Sequence, residues 1–319
     1  MTSIDHRYHP HVLDIIFAMA PRTSLLALRT ASRTFRDRVD RALCKHLSIS
    51  VAPGVDLLDN TEGPFVSRTL SPMLQDLVIL DGDGRRLPAF SSSVVGPTGP
   101  DPKERQRDIL AATTVINVVG RMTVEHMDFL NPSFNLHTFR MTAHSEWVHV
   151  QDRLNLSVER IVFFGDVDIR FGVVVNTNNN LRKVVVHVGS EEEIPIRKLR
   201  DITWMCRPRP TPPSRLVLIS DQNGTQPFWV PFFDVNLGHR FSQITFVDFH
   251  CDLSHDHSSD PAACAVRIPA YLQELIETET EDAPRSRDLS AKFNFMSREQ
   301  YFATLSAEDV QLETVDLTV

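Results

Sequence analysis

The stretch "VERIVFFGDVDIRFGVVVNTNNNLRKVVVHV", Val158 to Val188, holds two copies of one spacing, apolar-x-x-apolar-x-apolar. They are Val158/Ile161/Phe163 and Leu181/Val184/Val186. The same spacing recurs at Leu74/Leu77/Ile79, Leu136/Phe139/Met141 and Phe241/Ile244/Phe246. Successive starts at 136, 158 and 181 lie 22 and 23 residues apart. A weaker copy, "TTVINVV" (Thr113–Val119), sits about one period upstream, and "RLVLIS" (Arg215–Ser220) follows a longer insertion. A recurrence of this length implies one short parallel strand per unit, stacked so that each strand buries its neighbour's apolar side chains.

The period lies within the range of leucine-rich repeats. Such repeats place Asn or Cys three residues after the last apolar position, where the side chain bonds the backbone of the turn. Those positions here hold His144, Asp166 and Gly189, and "FGDVDIRFGVVVNTNNN" (Phe164–Asn180) reads as a strand and turn instead of a return helix. The expected fold is therefore α+β. A helical segment over 1–50 precedes an irregular leucine-rich-repeat-like array over 51–319, or else a layered α/β domain whose strands share the motif. "SSSVVGPTGPDPKER" (Ser91–Arg105) is the clearest loop.

The helical segment rests on "HPHVLDIIFAMAPRTSLLALRTASRTFRDRVD", His9 to Asp40. Pro10 suits a first helical turn, where its missing N–H costs nothing. Val12, Leu13, Ile16, Met19 and Ala20 follow at helical spacing, and Pro21 stops the helix. Thr23 or Ser24 is placed to cap a short second helix, and a third begins near Ser32 with Phe35, Val39, Ala42 and Leu43 on one stripe. Ile15 and Phe17 widen the apolar arc of the first helix beyond one face, which raises the question of what covers it.

The order Pro10, Val12-Leu13, Ile16-Phe17, Leu25-Leu26-x-Leu28-Arg29, Ser32-Arg33, Phe35 and Val39 resembles an F-box. The usual Leu-Pro opening is His9-Pro10 here, and Phe35 stands where Trp is common. The closing stretch "FNFMSREQYFATLSAEDVQLETV" (Phe293–Val315) is similar to the end of F-box-like families expanded in basidiomycete fungi. The resemblance implies a non-enzymatic adaptor docking on a Skp-type subunit of a cullin–RING ubiquitin ligase, with the strand-rich part capturing a target protein. It implies partner contacts at Pro10, Leu13, Phe17 and Leu25, while Phe35 and Val39 hold the helices together from inside. The rival expectation is a scaffold whose N-terminal helices cap the repeat array and bind no ligase, since terminal repeats need caps.

Composition narrows the function classes. Thirty-three basic against 41 acidic residues leave a net charge of −8, a poor match to the electrostatic grip of nucleic-acid binders. No run approaches the roughly 18–20 apolar residues of a membrane span. The opening "MTSIDHRYHP" lacks a signal peptide's apolar stretch, and four scattered cysteines suggest no disulfide framework. The expected setting is cytoplasmic or nuclear, with no membrane and no nucleic acid as partners.

Motifs for catalysis or cofactors are missing: there is no Gly-x-Ser-x-Gly, phosphate loop or His-Glu-x-x-His. "HCDLSHDHSSDPAAC" offers His250, His255, His257 and Cys264, but at no standard zinc spacing, and is read as a polar loop without metal. "RPRPTPP" (Arg207–Pro213) is read as a loop despite its polyproline pattern, and "LDGDG" (Leu80–Gly84) as a turn. "AVRIPAYLQELIETET" and "SREQYFATLSAEDV" are expected helices, the second capped by Ser297.

Overall fold

A computed structural model of the protein describes residues 10–51, 77–81, 84–85, 87, 108, 110–119, 136–142, 158–164, 181–188, 215–220, 227–228, 241–248, 250–251 and 293–314. The chain divides into two compact units, Met1–Asn117 with Ser133–Asn135, and Val118–Pro132 with Leu136–Val319. Among the described residues no helix is long and apolar enough to cross a membrane. The expected helix at Ala265–Thr280 and the loop at Arg207–Pro213 lie outside the described residues.

The first unit opens with α1 (Pro10–Met19), α2 (Arg22–Arg29) and α3 (Arg33–Leu43). Pro21 both ends α1 and serves as the N-cap of α2, with φ −62° and ψ 151°, so neither Thr23 nor Ser24 caps that helix. Extended backbone is what a fixed proline φ favours at this boundary. α3 begins at the expected place, and Ser32 caps it, its Oγ accepting from Phe35 N at 3.1 Å. Phe17, Leu25 and Val39 are buried together, with Leu13, Ala20, Leu28, Phe35 and Leu43 packed around them. Phe17 meets Phe35 edge-to-face at 5.5 Å between centroids. Arg29 pairs with the fully buried Asp40 carboxylate through Nε at 2.6 Å and Nη2 at 3.4 Å, joining α2 to α3. Desolvation of that charge is offset by a two-pronged guanidinium contact.

After α3 the chain forms β1 (His46–Val51), paired antiparallel with β2 (Leu77–Asp81), with Ile49 opposite Ile79. The signature copy at Leu74/Leu77/Ile79 thus leads into an antiparallel strand, because its spacing encodes which side chains are buried and not the direction of the partner. Asp81 holds the turn that follows: its Oδ1 accepts from Arg85 N and its carbonyl from Gly84 N, with Gly84 at φ 73°. Such a φ suits glycine, which lacks a Cβ to clash. Arg22 pairs with the same carboxylate, tying α2 to β2. Cys44 is buried; burial first, and the Asp40 carboxylate second, push its thiol up to about 12, so it is chemically quiet.

β3 (Val115–Val119) begins in the first unit, where Thr114 N and Val115 N both donate to Lys45 O. In the second unit lie β4 (Thr138–Thr142), β5 (Arg160–Phe164), β6 (Lys183–Val188), β7 (Arg215–Ser220), a two-residue β8 (Pro227–Phe228), β9 (Gln243–Val247), β10 (His250–Cys251) and β11 (Phe293–Met296). β4, β5, β6, β7, β9 and β11 are neighbours in that order and pair in parallel, while β8 pairs with β10. The protein is α+β, with antiparallel and parallel pairing both present.

The parallel register places the signature positions in rows. Phe139, Ile161, Val184, Leu216, Ile244 and Phe293 are successive partners, as are Met141, Phe163, Val186, Leu218, Phe246 and Phe295. The step into each strand also repeats: Glu159 N and Arg160 N donate to His137 O, and Arg182 N and Lys183 N to Glu159 O. Both faces are covered. Ile161 to Phe164, Leu216 to Ser220 and Ile244 to Val247 form continuous buried runs, as expected of a parallel sheet with cover on either side.

"SREQYFATLSAEDV" forms two helices where one was expected, α4 (Arg298–Ala303) and α5 (Ala307–Thr314). Ser306 makes the break: its Oγ accepts from Asp309 N at 3.1 Å and donates to the Asp309 carboxylate at 2.9 Å, an N-cap arrangement that competes with continuing the helix. Ser297 caps α4 in a capping box completed by Gln300.

Ile161 is 3% exposed and sits between Phe139 and Val184 in its row. Ile161→Ala should lower unfolding stability by about 2–5 kcal/mol, measured by denaturant titration. A loss within the scatter of surface substitutions would place this residue outside the core.

Candidate functional site

Two features stand out from the packing: the outer side of α1, and a charged cluster between β5, β6, α4 and α5. On α1 the helical period divides the apolar residues into two sets. Leu13, Phe17 and Ala20 turn toward α2 and α3. Val12, Ile15, Ile16 and Met19 stay exposed, at 40%, 57%, 45% and 80%.

Of the residues expected to meet a partner, Leu13, Phe17 and Leu25 belong to the inner cluster. Phe17 (5% exposed) and Leu25 (6%) are closed off by the chain's own helices, and Leu13 packs against them. Pro10 opens α1. Phe17 or Leu25 can be reached only by parting the helices, so the accessible apolar set of α1 is the one on its outer face. Phe35 and Val39 lie inside, where they were expected.

The second feature is built on the sheet row that begins each parallel strand. Arg160, Lys183 and Arg215 are successive partners across β5, β6 and β7. Their side chains share a face with Val162, Phe164, Val185, Val217 and Ile219, the core on which α4 packs through Tyr301, Phe302 and Leu305. The fully buried Glu313 of α5 accepts from Lys183 Nζ at 2.7 and 2.9 Å and from Tyr301 Oη at 2.5 Å, with Arg160 Nε at 3.4 Å. Asp309 pairs with Arg160 Nη2 at 2.6 Å. The Glu313 carbonyl accepts from His187 Nε2, since a carbonyl has no proton to give, and this assigns the tautomer. His187 stacks on Phe164, and the guanidinium of the buried Arg140 also lies over that ring, 4.7 Å from its centroid.

Burial holds the Lys183 ammonium below its usual range, outweighing the pull of Glu313 in the other direction. Burial likewise leads, with Glu313 adding, in pushing the Tyr301 phenol well up. For Asp309 burial acts upward, but the Arg160 and Ser306 hydrogen bonds and the nearby cations prevail and hold it down. These groups satisfy one another, so the chemistry on display is attachment of a helix to a sheet. Glu313, Lys183, Tyr301 and His187 were not singled out in the sequence. The basic row had a signal there, because Arg160, Lys183 and Arg215 each precede the strand's first core residue.

Among the described residues no group of three or more His, Cys, Asp or Glu is placed to hold a metal ion. His250 lies in β10, while His255, His257 and Cys264 fall outside the described residues. No family model matches the chain, and no curated protein or solved structure matches it either.

Asp309 releases its proton more readily in the folded chain, so its stabilising contribution is complete above the ordinary value of 3.8 and is lost as pH falls through the lowered folded value. Asp309→Asn should therefore flatten the fall in stability between about pH 4 and pH 2, read by denaturant unfolding at each pH. An unchanged acid slope would remove Asp309 from the linkage. Lys183 acts in the same direction at high pH: the unfolded chain holds that proton longer, so the penalty of burying this ammonium is relieved as pH rises toward 10.5.

Proposed function

We propose that the protein is a non-enzymatic substrate-recognition adaptor. Its N-terminal helices dock on a Skp-type subunit of a cullin–RING ubiquitin ligase, and the strand-rich second unit holds a target protein for ubiquitination in the cytoplasm or nucleus. The observation that carries this reading is the row Val12, Ile15, Ile16 and Met19, left exposed on a helix whose opposite side already closes a core. Large apolar side chains gathered on one outer face are the usual anchor of a protein interface. The order of apolar residues across α1, α2 and α3, which resembles an F-box, supports this partner class.

The second unit is read as an irregular repeat array folded as a layered α/β domain. Alignment of the signature into rows supports repetition, and cover on both faces favours layers over an open horseshoe.

Co-purification with a Skp-type adaptor tests the docking. Ile15→Asp with Met19→Asp should weaken binding by more than about tenfold while leaving the melting temperature nearly unchanged, since hot-spot losses run to about 2 kcal/mol or more. Phe17→Ala should instead cost about 3–5 kcal/mol of stability through the cavity it leaves. Absence of binding by the wild type, or binding untouched by the Asp pair, would end the ligase reading and favour a cap.

A further inference from the structure

α4 and α5 are attached to the same sheet face by different physics. α4 is held by apolar burial: Tyr301 is 4% exposed and belongs to the core with Val162, Val185 and Val217. Of the eight residues of α5, only Glu313 is buried. Its carboxylate and that of Asp309 meet Lys183 and Arg160, and its carbonyl meets His187.

Without α5, Arg160, Lys183 and Arg215 would stand side by side on adjacent strands, about 4.8 Å apart, where like charges repel. A row of three cations is a costly way to build a core face, and apolar residues would cover α5 at lower cost. Two carboxylates four residues apart on a helix are separated by about 6 Å along its axis, about 1 Å more than the step from one strand to the next and within reach of long basic side chains. Asp309 and Glu313 have that spacing, and they span Arg160 and Lys183. Arg215, next in the row, is exposed.

From this geometry we infer that the basic row of β5, β6 and β7 is a docking surface for an acidic helical segment of a partner protein, occupied at rest by the chain's own α5. Ion pairs whose attraction is largely offset by desolvation leave α5 closer to release than α4, and salt weakens them further. Release leaves the apolar seat of α4 intact and exposes Arg160 and Lys183 beside Arg215. The inference is independent of the ligase reading.

The test uses the full chain. The probe is a labelled peptide of sequence SAEDVQLETV, which is Ser306–Val315. Asp309→Asn with Glu313→Gln should bind the probe at least about tenfold more tightly than wild type, because the competing segment has lost its charges. Adding Arg160→Met and Lys183→Met should abolish that gain, and a probe carrying Asn and Gln at the two acidic positions should not bind. Equal binding of the probe by wild type and the double variant, no binding by either, or equal binding of the neutral probe would overturn the inference. Hydrogen exchange on the unmodified protein tests release without any substitution. The amides of α5 should exchange faster than those of α4 and β6, and faster again as salt is raised. Exchange of α5 only in step with β6 at every salt concentration would overturn it.

Discussion

Parallel hydrogen bonding in register, from β4 through β5, β6, β7 and β9 to β11, is the constraint on which the second unit depends. Each strand shows its neighbour the same residue of the signature, so like positions stack on like. Phe139, Ile161, Val184, Leu216 and Ile244 form one apolar row, and Met141, Phe163, Val186, Leu218 and Phe246 another. A one-residue slip would turn each of these rows onto the opposite face. The alternate residues do not escape to solvent either, since Val162, Val185, Val217 and Val247 lie under Tyr301 and its neighbours.

The row that starts each strand breaks with this apolar rule. Arg160 and Lys183 sit where another Val would pack, and they bring a fully buried carboxylate with them. Buried ion pairs contribute little net stability against a hydrophobic replacement, yet losing one partner leaves the other charge stranded. The attachment of α5 is therefore selective in geometry and modest in strength. α4, seated by Tyr301, Phe302 and Leu305, answers to apolar burial instead. The Ser306 cap separates the two helices and lets each follow its own physics.

In the first unit the same distinction between inside and outside governs α1. Phe17 against Phe35, with Leu25 and Val39, closes a small core, and the Arg29–Asp40 pair fixes α2 on α3. The apolar arc of this ten-residue helix is wider than the face that α2 and α3 cover, with His11 and Asp14 on the remaining side. The side facing α2 and α3 is satisfied by the fold; Val12, Ile15, Ile16 and Met19 are not. Substitutions at these four residues therefore change the helix's outer surface, whereas substitutions at Phe17 or Leu25 change its core.

The starts of α1, α3 and α4 and the strands of the signature copies were legible in the sequence because they follow from local chemistry. Pro10, the Ser32 and Ser297 caps, the break at Pro21 and the period-two burial of each signature copy depend on residues close in the chain. Strand direction was not legible: the copy ending in Ile79 pairs antiparallel and that ending in Phe163 parallel, since a spacing of apolar residues carries no direction. Which part of α1's wide apolar arc faces inward was equally hidden, because only the placement of Phe35 and Val39 chooses it. Glu313 was least legible of all. Two of its partners lie 126 and 130 residues away in sequence, at His187 and Lys183, and only the tertiary structure, by laying α5 across β5 and β6, brings that carboxylate to cations that make its burial tolerable.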